Sequence, residues 1–304
     1  MIRHIRSIPH EILSGKPRRR ATAPGGGGAR SPPGEGTEVL DRVEAEQDGR
    51  PGRGLSWPWF LVVVIVYAGI IQGLGLLIGV DSGDSDSAFP DAEALVRNAL
   101  IPIGASIVFA AGVVTWLGWW GEVLSYRAPV RRWVRWVPIS MIAVAVLGLN
   151  YGHLADQSVS LVLCVLLLGL FVGVGEELMF RGIGVHVFRR AGLTEGKVAL
   201  CSSLVFGLVH VSNAFGTGAQ AVVQALVVTT SGYFFYLCLR VGGAIWLPML
   251  VHGLWDISLF SSQVGDQPKA YLGMALVIAL QVTLIVVLLV RRRTIEPVRA
   301  GAPG

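Results

Sequence analysis

The sequence predicts an all-α protein, a polytopic bundle of about eight transmembrane helices, and three observations carry that reading. Of 304 residues, 53% are hydrophobic and only 15% charged, with a mean hydropathy of +0.61, outside the range of ordinary soluble domains. Apolar runs of about 20 residues recur, the length that crosses a hydrocarbon slab. Basic residues cluster on every second connection between those runs, as the positive-inside rule requires.

Residues 1–55 read as a disordered cytoplasmic tail. They hold the run Lys16-Pro17-Arg18-Arg19-Arg20, the tract Gly25 to Gly28, and acids spread from Glu35 to Asp48, a composition that cannot bury enough apolar surface to order itself. The tail has no signal-peptide apolar region, so the first span is expected to be retained. Spans follow at about 57–80, 97–120, 137–152, 159–188, 198–213, 219–239, 244–260 and 271–290. The N-terminal transmembrane helices occupy 56–155, a second transmembrane domain 156–293, and a short cytoplasmic tail 294–304.

Arg127, Arg131, Arg132 and Arg135, then Arg189, Arg190 and Lys197, then Arg240, then Arg291 to Arg293 fall on alternate connections, and Asp81, Asp84, Asp86 and Asp91 occupy the first opposite one. Both termini are therefore expected in the cytoplasm of a multi-pass cell-membrane protein. The net charge of +5 comes from residues flanking apolar runs, so it points to membrane lipids as partners and not to nucleic acid. The triplet Arg291 to Arg293 reads as a snorkelling anchor. Gly69 and Gly73 have the Gly-x-x-x-Gly spacing of close helix packing. Cys164, Cys201 and Cys238 all lie in apolar runs and read as packing residues. His153 and His186 read as interfacial residues without a role. No phosphate-binding Gly-x-x-x-x-Gly-Lys loop is present.

Chemistry enters at membrane depth, where an ionisable side chain costs roughly 2.5–3.5 kcal/mol even on the lenient insertion scale. The fourth span runs into Gly175-Glu176-Glu177-Leu178-Met179-Phe180-Arg181. Glu177 and Arg181, four apart, share a helical face and are expected to pair, while Glu176 is turned about 100° away and left available. The fifth span ends Phe206-Gly207-Leu208-Val209-His210, and the seventh carries His252-Gly253-Leu254-Trp255-Asp256. Each group taken alone has a structural reading: paired charges for Glu177 and Arg181, interhelical hydrogen bonds for the histidines. Together they supply a base for water, a proton donor for a leaving amine and groups to face an oxyanion.

The ordered set Glu176-Glu177-x-x-x-Arg181, Phe206-x-x-x-His210 and His252-x-x-x-Asp256 resembles the CAAX protease and bacteriocin-processing enzyme family over about 160–260. The resemblance implies a membrane-embedded endopeptidase acting on a peptide or lipid-modified protein. In it Glu176 and His210 activate water, His252 and the residue at 256 polarise the scissile carbonyl, and Glu177, Arg181 and Phe206 support them. Residue 256 is often Asn in prenyl-protease relatives, and here it is Asp256, whose ionised carboxylate would repel an oxyanion. Two routes stay open: a metal-free one, and one in which Glu176, His210, His252 and Asp256 hold a divalent metal, zinc by ligand type. The aspartate tilts the expectation towards the metal. A rival of another class is an inactive scaffold or bacteriocin-immunity protein that binds a partner in the same polar cavity. Other intramembrane protease motifs are missing: His10-Glu11 runs to Ser14 instead of completing His-Glu-x-x-His, and neither Gly-x-Gly-Asp nor Gly-x-Ser-Gly occurs.

Overall fold

The computed structural model describes residues 53–81, 85, 87–213, 220–269 and 271–296, with no strand among them. Most of the expected tail at 1–55, residues 297–304 of the second tail, and Asp84 and Asp86 lie outside the described residues. Eight longer helices follow one another: α1 Trp57–Ile78, α2 Ala92–Leu117, α3 Trp136–Leu147, α4 Val159–Arg190, α5 Glu195–Val209, α6 Gln220–Gly242, α7 Trp246–Phe260 and α8 Leu272–Arg291. Among the described residues, five helical stretches are long and apolar enough to cross a membrane, those of α1, α2, α4, α6 and α8. The others are shorter, with 12 residues in α3 and 15 in each of α5 and α7, less than the 17 or more that a full crossing takes.

Local chemistry sets the boundaries. Pro58 occupies the first turn of α1, where its missing N–H costs nothing. The side chain of Asp91 caps α2 by accepting from the N–H of Ala94 at 2.8 Å, and Ser158 caps α4 by accepting from Leu161. Helix α2 stops at Leu117, short of the expected 120, because Gly118 adopts a left-handed φ of 74°, which glycine takes at little cost. The expected third span at 137–152 is interrupted after Leu147. Asn150 there caps a separate turn, Tyr151–Ala155, through a 3.1 Å bond from the N–H of His153.

The connections meet at two ends of the bundle. At one, the N–H of Arg131 donates to the carbonyl of Ile295, Arg240 pairs with Glu296 at 2.6 Å, Arg190 with Glu122 at 2.7 Å, and the Tyr126 hydroxyl donates to Glu195. At the other, the N–H of Val80 donates to Asn98, that of Asn150 to Ser261, that of Gly265 to the carbonyl of Phe89, and Lys269 pairs with Asp156. Arg127, Arg131, Arg132, Arg135, Arg189, Arg190, Arg240 and Arg291 to Arg293 all belong to the first end. The second holds Asp81, Asp91, Glu93, Asp156 and Asp266 against Arg97 and Lys269.

One large core joins both halves of the described chain, from Phe60 and Tyr67 of α1 to Leu284 and Leu288 of α8. Helices α4 and α7 meet backbone to backbone. A Cβ on Gly173 would lie 2.4 Å from the carbonyl oxygen of Met249, and one on Gly253 would lie 2.8 Å from that of Gly169. Only residues without a side chain permit that separation. The Gly69/Gly73 pair is different from expectation: nothing lies within 4 Å of where either Cβ would be, so neither position marks a close backbone approach among the described residues. His153 and His186 also depart from the interfacial reading. Both are buried, His153 with Nε2 2.7 Å from the carbonyl oxygen of Val264 and His186 with Nδ1 2.6 Å from that of Gly182.

Candidate active site

The glycine contact between α4 and α7 sets the site, because it brings the residues following Gly173 beside those preceding Gly253. Glu176 and Glu177 close the regular part of α4, and the chain then widens into a π-helical stretch, Leu178–Gly184, a deviation often found at functional sites. The two adjacent carboxylates diverge. Glu177 turns into the protein and is fully buried, whereas Glu176 faces a cavity with 18% of its side chain exposed.

Glu177 and Arg181 pair as the spacing predicts, Nη1 to Oε1 at 2.9 Å, and Arg181 donates a second bond through Nη2 to the carbonyl of Gly232 on α6 at 2.8 Å. The guanidinium also lies over Phe206, 4.5 Å from the ring centre, a cation–π contact that is strengthened by desolvation. The same Glu177 oxygen stands 2.7 Å from Nδ1 of His252. His252 is thereby held by a carboxylate on one side, stacked on Phe235 at 4.1 Å and 17°, and met edge-on by Phe206.

His210 lies one residue beyond the end of α5, in a 3-10 turn, and its Nδ1 stands 2.9 Å from the carbonyl oxygen of Phe206. With Nδ1 engaged in both rings, Nε2 is the nitrogen each turns towards Glu176. The distances are 4.0 Å from His210 and 3.6 Å from His252, and His252 Nε2 is also 3.6 Å from Asp256. All four groups expected at the centre of the chemistry, and the three expected to support it, therefore converge in one place.

The chemistry of the donor set suits a metal: two imidazole nitrogens and two carboxylates, with the opposite ring nitrogens anchored in the manner of metal-ligating histidines. As they stand, however, no group of three or more His, Cys, Asp or Glu side chains among the described residues could hold a metal ion. Edges of 3.6–4.0 Å exceed the roughly 3.3 Å edge of a tetrahedron built on zinc bonds of about 2.0–2.1 Å.

The cavity has a volume of about 900 Å3 and is lined mainly by apolar side chains, the pattern of a pocket that excludes bulk water around a few polar groups. Sequence reading missed two of its members. Phe235 carries no motif signal, since an aromatic on an apolar helix reads as core. Tyr67, on α1, lies outside the motif region, yet its buried hydroxyl abuts Gly175 and its side chain lines the cavity.

With this geometry in place, the comparison with known families is decisive for one segment. Residues 158–258 are Rce1-like. They match the family described as type II CAAX prenyl endopeptidase Rce1-like, and the match spans α4 to α7, the helices that carry all seven site residues. No curated protein and no solved structure matches the chain. The match covers residues 158–258 of 304, and five described helices are long and apolar enough to cross a membrane.

Proposed function

We propose that the chain is an intramembrane endopeptidase in which Glu176 and His210 activate a water held between them. The observation that carries the reading is the convergence of Glu176, His210, His252 and Asp256 on one cavity within the Rce1-like segment. Glu176 takes a proton from the water as its oxygen attacks the scissile carbonyl carbon, and returns that proton to the amine as the C–N bond breaks. His210, fixed through Nδ1, orients the water through Nε2. His252, fixed by Glu177, presents Nε2–H to the developing oxyanion when protonated. Asp256 stands 3.6 Å from that nitrogen. Glu177, Arg181 and Phe206 position these groups without touching substrate.

These roles belong to the metal-free route; in the alternative route Glu176, His210, His252 and Asp256 would instead hold a divalent metal, zinc by ligand type, which would lower the pKa of a coordinated water. The membrane arrangement is proposed as eight crossings, the three short helices included, because the described flanks of α3 and α7 lie at opposite ends of the bundle, while α5 starts at the basic end and α6 returns to it. The basic end, with the tails 1–55 and 294–304, is placed in the cytoplasm of the cell membrane.

Purified full-length protein, incubated with an internally quenched peptide pool in detergent with and without chelator, tests the activity. Glu176→Gln keeps shape and hydrogen bonding, so it should abolish cleavage if Glu176 is the base. Wild-type protein that cleaves nothing, yet captures a partner equally well with and without that substitution, would establish the scaffold or immunity reading instead.

A further inference from the structure

We infer that the junction of α3 and α8 at the basic end is a binding site for an anionic phospholipid. Arg132, Arg135, Arg292 and Arg293 hold its phosphate, and its acyl chains lie against the outer faces of the two helices. None of these arginines lines the cavity of Glu176, so the site stands independently of the endopeptidase reading.

The first observation is a balance of charge. Among the described residues, the carboxylates of the basic end are Glu122, Glu195 and Glu296, and an arginine already takes each: Arg190, Arg189 and Arg240. Arg132, Arg135, Arg292 and Arg293 are exposed, and no carboxylate among the described residues pairs with them. A cationic surplus gathered in one place attracts anions.

The second observation is how these arginines are gathered. Arg132–Arg135 is a single 3-10 turn leading into α3. Side chains three residues apart eclipse in such a turn, so Arg132 and Arg135 project to one side, where two like charges oppose each other. An anion between them reverses the sign of that interaction. The same turn is fixed to the end of α8. Trp133 donates through Nε1 to the carbonyl of Thr294 at 2.8 Å, the guanidinium of Arg291 lies over the Trp133 ring at 5.6 Å from its centre, and the N–H of Arg131 donates to the carbonyl of Ile295 at 2.9 Å. Those contacts place Arg292 and Arg293 beside the Arg132 turn. A guanidinium suits phosphate because its planar fork meets two oxygens at once.

The third observation identifies what carries the phosphate. Trp136 and Ile139 at the start of α3, and Val286, Leu289 and Val290 near the end of α8, are all exposed. Apolar surface therefore begins within one turn of the arginines on both helices. A soluble anion would leave that surface uncovered. A phospholipid covers both zones, with the indole of Trp136 at the level of the headgroup.

Full-length protein in a neutral detergent, given phosphatidylglycerol or phosphatidylcholine of matched acyl chains, tests the site, with native mass spectrometry reading the lipid retained. Phosphatidylglycerol should bind at least about ten times more tightly than phosphatidylcholine. Arg132→Gln combined with Arg135→Gln should remove most of that preference. Arg127→Gln combined with Lys197→Gln deletes two exposed charges elsewhere at the basic end and should leave it intact. Equal loss in the two double variants would mean diffuse surface charge and overturns the site, as does equal retention of both lipids by the wild type. Inorganic phosphate in large excess should not displace phosphatidylglycerol; displacement overturns the lipid as occupant. The thermal midpoint in phosphatidylcholine shows whether the Arg132/Arg135 variant is folded. If it is not, Arg292→Gln combined with Arg293→Gln removes the other half of the site and carries the same prediction.

Discussion

Oε1 of Glu177 lies 2.7 Å from Nδ1 of His252 and 2.9 Å from Nη1 of Arg181, so one buried carboxylate oxygen binds both the guanidinium of its own helix and the imidazole of another. The Nδ1–H donated to Glu177 fixes which nitrogen of His252 faces Glu176. Glu177→Gln keeps the volume and removes the charge. Cleavage should fall by roughly 10- to 100-fold, as for other groups that orient a catalytic side chain, with kcat lowered and KM little changed. Unaltered kcat would reduce Glu177 to a counter-ion of Arg181.

Arg181 and Glu177 are both fully buried, while Glu176 keeps contact with the cavity. Removing one partner of a buried pair costs about 3–5 kcal/mol because the other charge is stranded. Arg181→Ala should therefore lower the yield of folded protein far more than Glu176→Ala, measured by monodisperse recovery from detergent. Equal recovery of the two variants would contradict the bracing role.

Much of this was legible in the sequence, for identifiable reasons. Helical periodicity couples Glu177 to Arg181, since a four-residue spacing fixes the pair before any tertiary contact forms. The bond from Glu177 to His252 crosses 75 residues and depends on how α4 meets α7, which no local spacing encodes. Membrane span length was misread for α3 because hydropathy runs smoothly through Gly148 and Leu149, while the break is made by the side chain of Asn150 recapping the chain. The glycine signal was read at the wrong place. Gly69/Gly73 and Gly169/Gly173 have the same spacing, and only the second pair has a partner, Gly253, supplied by the fold.

That distinction can be measured. Gly173→Ala places a Cβ 2.4 Å from the carbonyl oxygen of Met249, so α4 and α7 must separate and Glu176 must move from His252. Overpacking of this kind costs roughly 1–3 kcal/mol, and the thermal midpoint and cleavage rate should both drop. Gly69→Ala meets nothing within 4 Å and should change neither. A destabilised Gly69→Ala with an unaffected Gly173→Ala would invert the packing argument.

At the basic end, Arg240 donates two bonds to Glu296, at 2.6 and 2.8 Å, and these hold the Glu296 carboxyl below the usual carboxylate range. A depressed folded-state pKa means the contribution is fully present above the unfolded value of about 4.3 and is lost as pH falls through the folded value. Glu296 is about half exposed, so the effect is at most about 1 kcal/mol. The thermal midpoint of wild type should fall between pH 5 and 3 more steeply than that of Glu296→Gln. Parallel curves would show that the pair adds nothing to acid stability.

The residue at 256 separates the two routes for activating water. The Asp256 carboxylate lies 3.6 Å from His252 Nε2, on the same cavity as Glu176, where an ionised group opposes an oxyanion but suits a divalent cation. Asp256→Asn is nearly isosteric and gains an amide donor. If the site is metal-dependent, the substitution removes a charged ligand, so metal retained by the purified protein should fall along with cleavage, and chelator should abolish wild-type activity. Elemental analysis reads the metal independently of turnover, and an unchanged thermal midpoint shows that the variant is folded. If no metal is bound and hydrolysis proceeds in a strong chelator, Asp256→Asn should match or exceed wild type, since Asn then donates to the oxyanion that Asp256 repels. That outcome would discard the metal and leave Glu176 with His210 as the water-activating pair.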